Sequence, residues 1–285
     1  MNKINYWIPP KAGIKFKSAV DKHSAIAEEY EAQYDILYWK LYDTLTWDHM
    51  SSFVLQLKGG HILDAGGGTG RWARRFAQHG FTVDVMDLSD SMLIEGKKLV
   101  EQASLAKRIT FHHGDICAIP FNDEKYDVII CQGNPINYCN DYKKAVHELA
   151  RVAKKGAPII ISSHNKLAMI QYFCFFMGKI TIDQARQLSD TSEVTIDYPI
   201  HALTPDELRD VCRKNGLEIL SLVGKQNLSG VVQTQSYLDI LVDEEGFHKT
   251  VQLEKMYWED PSIMGMASHI QIACRKMQKI GDLYE

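Results

Sequence analysis

Ile62-Leu63-Asp64-Ala65-Gly66-Gly67-Gly68-Thr69-Gly70 decides the fold. An apolar run, His61-Ile62-Leu63, leads into an acid, and glycine then recurs at every second position. Arg71 to Gln78 has helical character and is closed by Gly80. Strand, glycine-rich turn and helix in this order open a nucleotide-binding βαβ unit. Glycine admits positive φ and lets backbone approach a ligand closely. The turn starts with a carboxylate and has no Lys-Ser/Thr, so it repels phosphate and suits a cation. The spacing favours a ligand with a positive amino-acid head and an adenosine tail.

Two other nucleotide motifs are excluded by position. A phosphate-binding loop needs Gly-x4-Gly-Lys-Ser/Thr, and no such run exists. A Gly-x-Gly-x-x-Gly fingerprint started at Gly66 ends on Arg71, and started at Gly68 it ends on Ala73. What remains is Asp-x-Gly-x-Gly-x-Gly, and in this the chain resembles the class I S-adenosylmethionine (SAM) methyltransferases. The resemblance implies SAM as cofactor, S-adenosylhomocysteine as product, and a methionyl group lying over Asp64, Gly66, Gly68 and Gly70.

The residues downstream keep the expected order. A second strand, Phe81 to Met86, ends in Asp87, 17 residues after Gly70. That is close to the offset of roughly 20 for a ribose-binding carboxylate. Ser89 is a candidate N-cap for the helix that carries Met92. A third strand, Arg108 to His112, runs into Gly114-Asp115-Ile116, and a fourth, Tyr126 to Cys131, into Gln132-Gly133-Asn134. The resemblance implies that Asp115 accepts from the adenine amino group and that Ile116 packs on the ring. It places Asp87, Leu88, Met92 and Gln132 around the adenosine. Ile26-Ala-Glu-Glu-Tyr30 resembles the segment whose Tyr reaches the SAM carboxylate in related enzymes, which adds Tyr30 to the expected cofactor residues.

Composition bounds the class. The chain has 285 residues, 45% of them hydrophobic, with a net charge of −4 and a pI near 6.3. An acidic balance argues against nucleic acid as partner, since phosphate binding wants a basic face. Six cysteines show no Cys-x-x-Cys and no His pairing at zinc spacing, so they read as reduced thiols and no metal is expected. The N-terminus lacks the apolar run of a signal peptide, and Leu167–Met177 is too short to span a bilayer. The expected setting is the cytoplasm.

The pattern along the chain predicts an α/β fold: a Rossmann-like, seven-stranded, mostly parallel sheet with helices on both faces. Residues 1–57 form an N-terminal helical extension, with 24–57 helical through Ile26, Tyr30, Tyr34, Leu37, Tyr38, Leu41 and Leu45. Residues 58–285 form the SAM domain. Pro158–Ser162 is its fifth strand, Leu217–Val223 its sixth and Ser268–Cys274 its last, antiparallel and set beside the fifth as the resemblance implies. Thr204-Pro205-Asp206-Glu207 is a capping box. Two insertions, 164–202 and 226–265, interrupt the alternation and are expected to form a substrate lid.

Ligands of open α/β sheets bind beyond the carboxyl ends of the strands. The acceptor is therefore expected near Gln132, Asn134, Asn137 and Tyr138 after the fourth strand, and near Ser163, His164 and Asn165 after the fifth. His164, with Tyr138, is the candidate catalytic group, because imidazole can take a proton near neutral pH. The opposing reading has His164 simply closing the strand end. Gly133-Asn134-Pro135-Ile136-Asn137 falls short of the Asn-Pro-Pro-aromatic motif of amino-group methyltransferases, lacking the second Pro and the aromatic. The cluster Tyr172–Phe176 is expected to be buried, either lining an acceptor pocket or forming a homodimer contact.

The reading is a methyltransferase of the small-molecule type, similar to the ubiquinone/menaquinone-biosynthesis group, acting on a partly apolar acceptor by in-line displacement. Whether oxygen, nitrogen, sulfur or carbon is methylated stays open. The competing readings are a non-catalytic SAM-binding sensor or complex subunit, and a protein or RNA methyltransferase.

Overall fold

A computed structural model describes residues 16–230 and 235–277. Residues 1–15 of the expected N-terminal extension lie outside them. α1 (Ala19–Ala25), a 3₁₀ segment (Glu31–Asp35) and α2 (Leu37–Val54) precede the sheet. The sheet is built from β1 (His61–Ala65), α3 (Arg71–Gln78), β2 (Thr82–Asp87), α4 (Asp90–Gln102), β3 (Ile109–His113), β4 (Val128–Cys131), α5 (Tyr142–Val152) and β5 (Pro158–His164). The first insertion holds α6 (Lys166–Met169), a π-helix (Ile170–Phe176), α7 (Ile182–Thr191) and the hairpin β6 (Glu193–Thr195)–β7 (Pro199–His201). Then come α8 (Pro205–Lys214), β8 (Leu217–Lys225), α9 (Gln235–Val242), α10 (Glu244–Tyr257), α11 (Pro261–Met264) and β9 (His269–Lys276).

Seven strands form one sheet in the order β3-β2-β1-β4-β5-β9-β8. β9 is antiparallel to both β5 and β8, and the remaining pairs are parallel. β1 and β4 are covered on both faces, so Ile62, Leu63, Ile129 and Ile130 are fully buried, as a parallel centre requires. Strand order reverses between β1 and β4, which puts the ligand crevice at their carboxyl ends.

Local signals hold where the chain has one job. The Ser89 Oγ accepts from the Met92 amide and caps α4. Thr204 and Glu207 form the reciprocal capping box of α8. The continuous helix expected over 24–57 is instead broken. Ile36 is extended between the 3₁₀ segment and α2. Tyr30 and Tyr34 turn toward the crevice, while Leu41 and Leu45 pack with Leu241 and Val251 of the second insertion. One straight helix could not present both faces, and tertiary packing overrides the periodicity.

The insertions also differ from expectation. The first has its own small core of Met169, Leu188, Val194 and Ile200, which packs against Ala19 of α1. Phe173 and Cys174 join it, but Phe175 and Phe176 are 71% and 59% exposed. The expected burial of the whole Tyr172–Phe176 cluster fails because the π-helix has one packed side only. No helix among the described residues is long and apolar enough to cross a membrane.

Candidate cofactor and acceptor site

The glycine-rich turn sits at the switch point. The Gly66 and Gly67 amides donate to the Met86 carbonyl at 2.7 and 3.1 Å, tying the turn to the end of β2. Gly66, Gly68 and Gly70 have φ of 70°, 55° and 72°, which a side chain disfavours. A Cβ on Gly66 would fall 2.5 Å from Pro135, and one on Gly68 would fall 2.9 Å from the Met92 methyl carbon. Gly70 does not reach the crevice and packs beside Phe111 instead.

Two acids flank this turn. Asp87 Oδ2 accepts from the Gly68 amide and Oδ1 from the Ser89 amide, each at 2.9 Å, so each oxygen keeps a lone pair for a hydroxyl. Asp64 is fully buried under Gly67. The Ala73 amide faces it without closing a hydrogen bond, and neither carboxylate oxygen has a partner. Burial, and next the charge of Asp87, push the Asp64 carboxyl up to about 7. An orphaned buried carboxylate beside a second acid is matched by a cation.

The crevice has about 940 Å³ of space free of protein atoms, open solvent at its mouth included. Tyr30, Gly66, Gly68, Asp87, Leu88, Met92, Ile116, Gln132 and Tyr138 line it, as the sequence suggests. Asp64 lies beneath this wall. Asp115 is not a wall residue; its Oδ1 accepts from the Cys117 amide at 2.8 Å and closes the turn after β3. His23, Tyr34, Tyr42, Arg71 and Pro135 also line the space and were not singled out from sequence as cofactor or catalytic residues. The excess of N-terminal aromatics was the available signal for Tyr34 and Tyr42.

The roof is the N-terminal segment, and this corrects the expected lid. Among the described residues, none of 164–202 or 226–265 lines the crevice. Arg71, directly after the glycine turn, pairs with Asp43 and stacks on Tyr34 at 3.8 Å. Arg74 pairs with Glu31 at 2.9 Å, and Thr69 donates to the same carboxylate. These ties hold the 3₁₀ segment and α2 over the turn. The insertions support the roof from behind, the first against α1 and the second against α2.

The candidate catalytic pair meets at the far end of the crevice. The Tyr138 hydroxyl and His164 Nε2 share a hydrogen bond at 2.7 Å. Burial pushes the Tyr138 phenol well up, and burial with nearby Lys22 and Lys225 brings His164 down to about 4. Both groups are neutral at physiological pH. Tyr138 is the wall residue and His164 stands behind it, so direct contact of His164 with the crevice, expected from sequence, gives way to contact through the phenol. Asn137 fixes the strand end, its Oδ1 accepting from the His164 amide at 2.8 Å and its Nδ2 donating to Ser163 Oγ at 2.9 Å.

Comparison with known proteins agrees with the fold. Residues 62–156 match a family model described as a methyltransferase domain. Over these residues the chain is similar to the class I SAM-dependent methyltransferases. The chain is 30% identical over 147 residues to the ubiquinone/menaquinone biosynthesis C-methyltransferase of Roseobacter denitrificans, covering 50% of this chain and 58% of that one. It is 25% identical over 207 residues to the demethylmenaquinone methyltransferase of Alkalihalophilus pseudofirmus, covering 68% and 85%. A crystal structure of a SAM-dependent methyltransferase from Methanosarcina mazei aligns with a TM-score of 0.58 at 13% identity, over 81% of this chain and 98% of that one, and shares the fold. The cofactor of the family is SAM. Asp64 and the glycine cradle fit it, since the orphaned acid suits its ammonium and the bare turn gives the room it needs.

Proposed function

We propose that this methyltransferase moves a methyl group from SAM to a small, partly apolar molecule, with carbon the favoured acceptor atom. The observation that carries the reading is the Tyr138–His164 pair at the inner end of a crevice roofed by Tyr30, Tyr34 and Tyr42. A roof held by two ion pairs suits an acceptor that fits beneath it and disfavours a polypeptide or RNA strand. The preference for carbon rests on the C-methyltransferase name of the Roseobacter relative.

In this reading Asp64 holds the ammonium of SAM, Tyr30 its carboxylate and Asp87 the ribose hydroxyls, while Leu88, Met92 and Ile116 pack around the adenine. When bound, SAM supplies an electrophilic methyl group on a sulfonium. The protein aligns the acceptor with it for in-line displacement, excludes water with the tyrosine roof, and, with the Tyr138 oxygen accepting from His164 Nε2–H, leaves the phenol proton free to donate to the acceptor. His164 orients that phenol and is too weak a base, at about 4, to hold a proton in neutral solution.

The test is release of S-adenosylhomocysteine from SAM on incubation with reduced demethylmenaquinone and with simple phenols, beside a protein and an RNA fraction. Transfer to a small acceptor is the expected result. Transfer confined to the protein or RNA fraction sinks the small-molecule reading, and SAM binding without transfer to any of the four favours the sensor.

A further inference from the structure

Behind Tyr138 the sheet carries a row of ionisable side chains for which the cofactor has no use. His164 ends β5, Lys225 ends β8 and His269 opens β9, and His269 is the register partner of both. Directly opposed residues of an antiparallel ladder project to the same face. Here that face is roofed by α2. The His164 and His269 rings are 5.2 Å apart, the Tyr42 ring is 4.8 Å from His269, and the Lys225 ammonium lies 4.0 Å over the Tyr42 ring. The row meets the crevice twice, because Tyr138 holds His164 and both Tyr138 and Tyr42 are wall residues.

The row is short of anions. Lys225 is fully buried, and its hydrogen bond among the described residues goes to Thr46 Oγ1 at 2.9 Å. Asp43, the carboxylate whose charge reaches it, is already paired with Arg71. The other charges that reach the row are cationic: Lys22 and Lys225 on His164, and Lys225 on His269. Buried polar nitrogens here lack hydrogen-bond partners, namely His269 Nδ1 and Trp39 Nε1. The Tyr42 hydroxyl faces Ser162 and Thr46 without closing a bond. Burial holds Lys225 well below its ordinary pKa, a cost that an anion beside it would remove, and buried donors are ordinarily satisfied. An anionic oxygen answers both needs at once.

The geometry points to an acceptor-anchoring subsite at Tyr42, His269 and Lys225 that binds an anionic oxygen of the methyl acceptor: a carboxylate, phenolate or enolate. The inference rests on the small-molecule transferase reading and adds the charge class of the substrate. Lys225 and Trp39 donate to that oxygen, and Tyr42, which lines the crevice and lies against both His269 and Lys225, stands between the two spaces. The two halves of the site then carry opposite charge, with Asp64 and Asp87 facing a cationic cofactor and the Lys225 row facing an anionic acceptor. Holding a phenol or enol ionised raises electron density at its oxygen and at the carbon conjugated with it, where a methyl group is accepted.

The experiment titrates the full chain, with and without S-adenosylhomocysteine, with benzoate against its neutral isostere benzamide, and with 4-nitrophenol below its free pKa. Benzoate should bind about tenfold or more tightly than benzamide, and bound nitrophenol should show its phenolate absorption. Lys225→Met should erase both effects while S-adenosylhomocysteine affinity stays as in the wild type. Equal binding of benzoate and benzamide, nitrophenol bound only as the neutral phenol, absence of binding by any probe, or an unchanged preference in Lys225→Met each overturns the subsite. Where Lys225→Met does not fold, the wild-type comparison of benzoate with benzamide decides. Failure of S-adenosylhomocysteine itself to bind refutes the transferase reading, and the titrations without it still read the subsite.

Discussion

The half of the sheet from β3 to β4 and the half from β5 to β8 solve recognition in different ways. In the first, the groups around the crevice other than those of the N-terminal roof lie within a strand end and the turn after it: Asp64 and Gly66–Gly68 after β1, Asp87–Met92 after β2, Ile116 after β3. In the second, Tyr42, His164, Lys225 and His269 come from four distant parts of the chain and meet through strand register and a helix laid across it. A ligand whose shape never changes can be met by one βαβ unit and its turns. An acceptor pocket is assembled from whatever the last strands and the added helices bring together. The cofactor half should therefore fail sharply at single residues, and the acceptor half by degrees.

The largest expected effect is at the turn. Gly68→Val meets both a φ of 55° and the Met92 methyl carbon 2.9 Å from the Cβ, so SAM affinity should fall by about a hundredfold or more while circular dichroism stays native. Normal SAM binding by a folded Gly68→Val protein would break the assignment of the turn. Asp87→Ala comes next. It removes charge-assisted bonds of about 1.5–3 kcal/mol and should weaken SAM by roughly ten- to a hundredfold in calorimetry. It also frees the Gly68 and Ser89 amides, so an unchanged affinity would remove Asp87 from the site twice over.

A third effect is read in pH. The Asp64 carboxyl rises from 3.8 to about 7 in the folded chain. A carboxyl raised on folding adds stability at low pH, and this is lost as pH climbs from about 4 through 7. The free protein should lose about 3–4 kcal/mol of stability over that span from this group. Asp64→Asn should flatten the slope, and SAM should bind more tightly above pH 7 than below 6. Thermal unfolding across that range that is identical in Asp64→Asn and wild type would place the acid outside the cation site.

The smallest effect belongs to the acceptor half. Tyr138→Phe removes one hydrogen bond, worth about 0.5–1.5 kcal/mol, and should lower turnover by roughly two- to tenfold with SAM affinity unchanged. Because His164 stands near 4, neither wild type nor variant should show a His164 inflection between pH 6 and 9. A bell with a limb near 6.5 that vanishes in His164→Gln would restore imidazole as a direct base.

The sequence by itself determined the cofactor half: the turn, the acid at 87, the order of five strands and the helix caps at Ser89 and Thr204. These signals are local, because glycine, capping hydroxyls and strand-end acids act within a few residues of their partners. Asp115 shows the limit of local reading, since its place after β3 was legible but its use as a turn cap was not. Only the tertiary structure decided what closes the site. The aromatic-rich N-terminal segment looked like one amphipathic helix and the insertions looked like a lid, yet the ion pairs of Glu31 and Asp43 with arginines of α3 make the segment the roof and leave the insertions as its supports. Lys225 and His269 were equally out of reach. Nothing in a lysine at a strand end or a histidine at a strand start announces burial, and their meeting depends on β9 threading antiparallel between β5 and β8. Register across a sheet is set by long-range pairing, and a pattern read along the chain does not contain it.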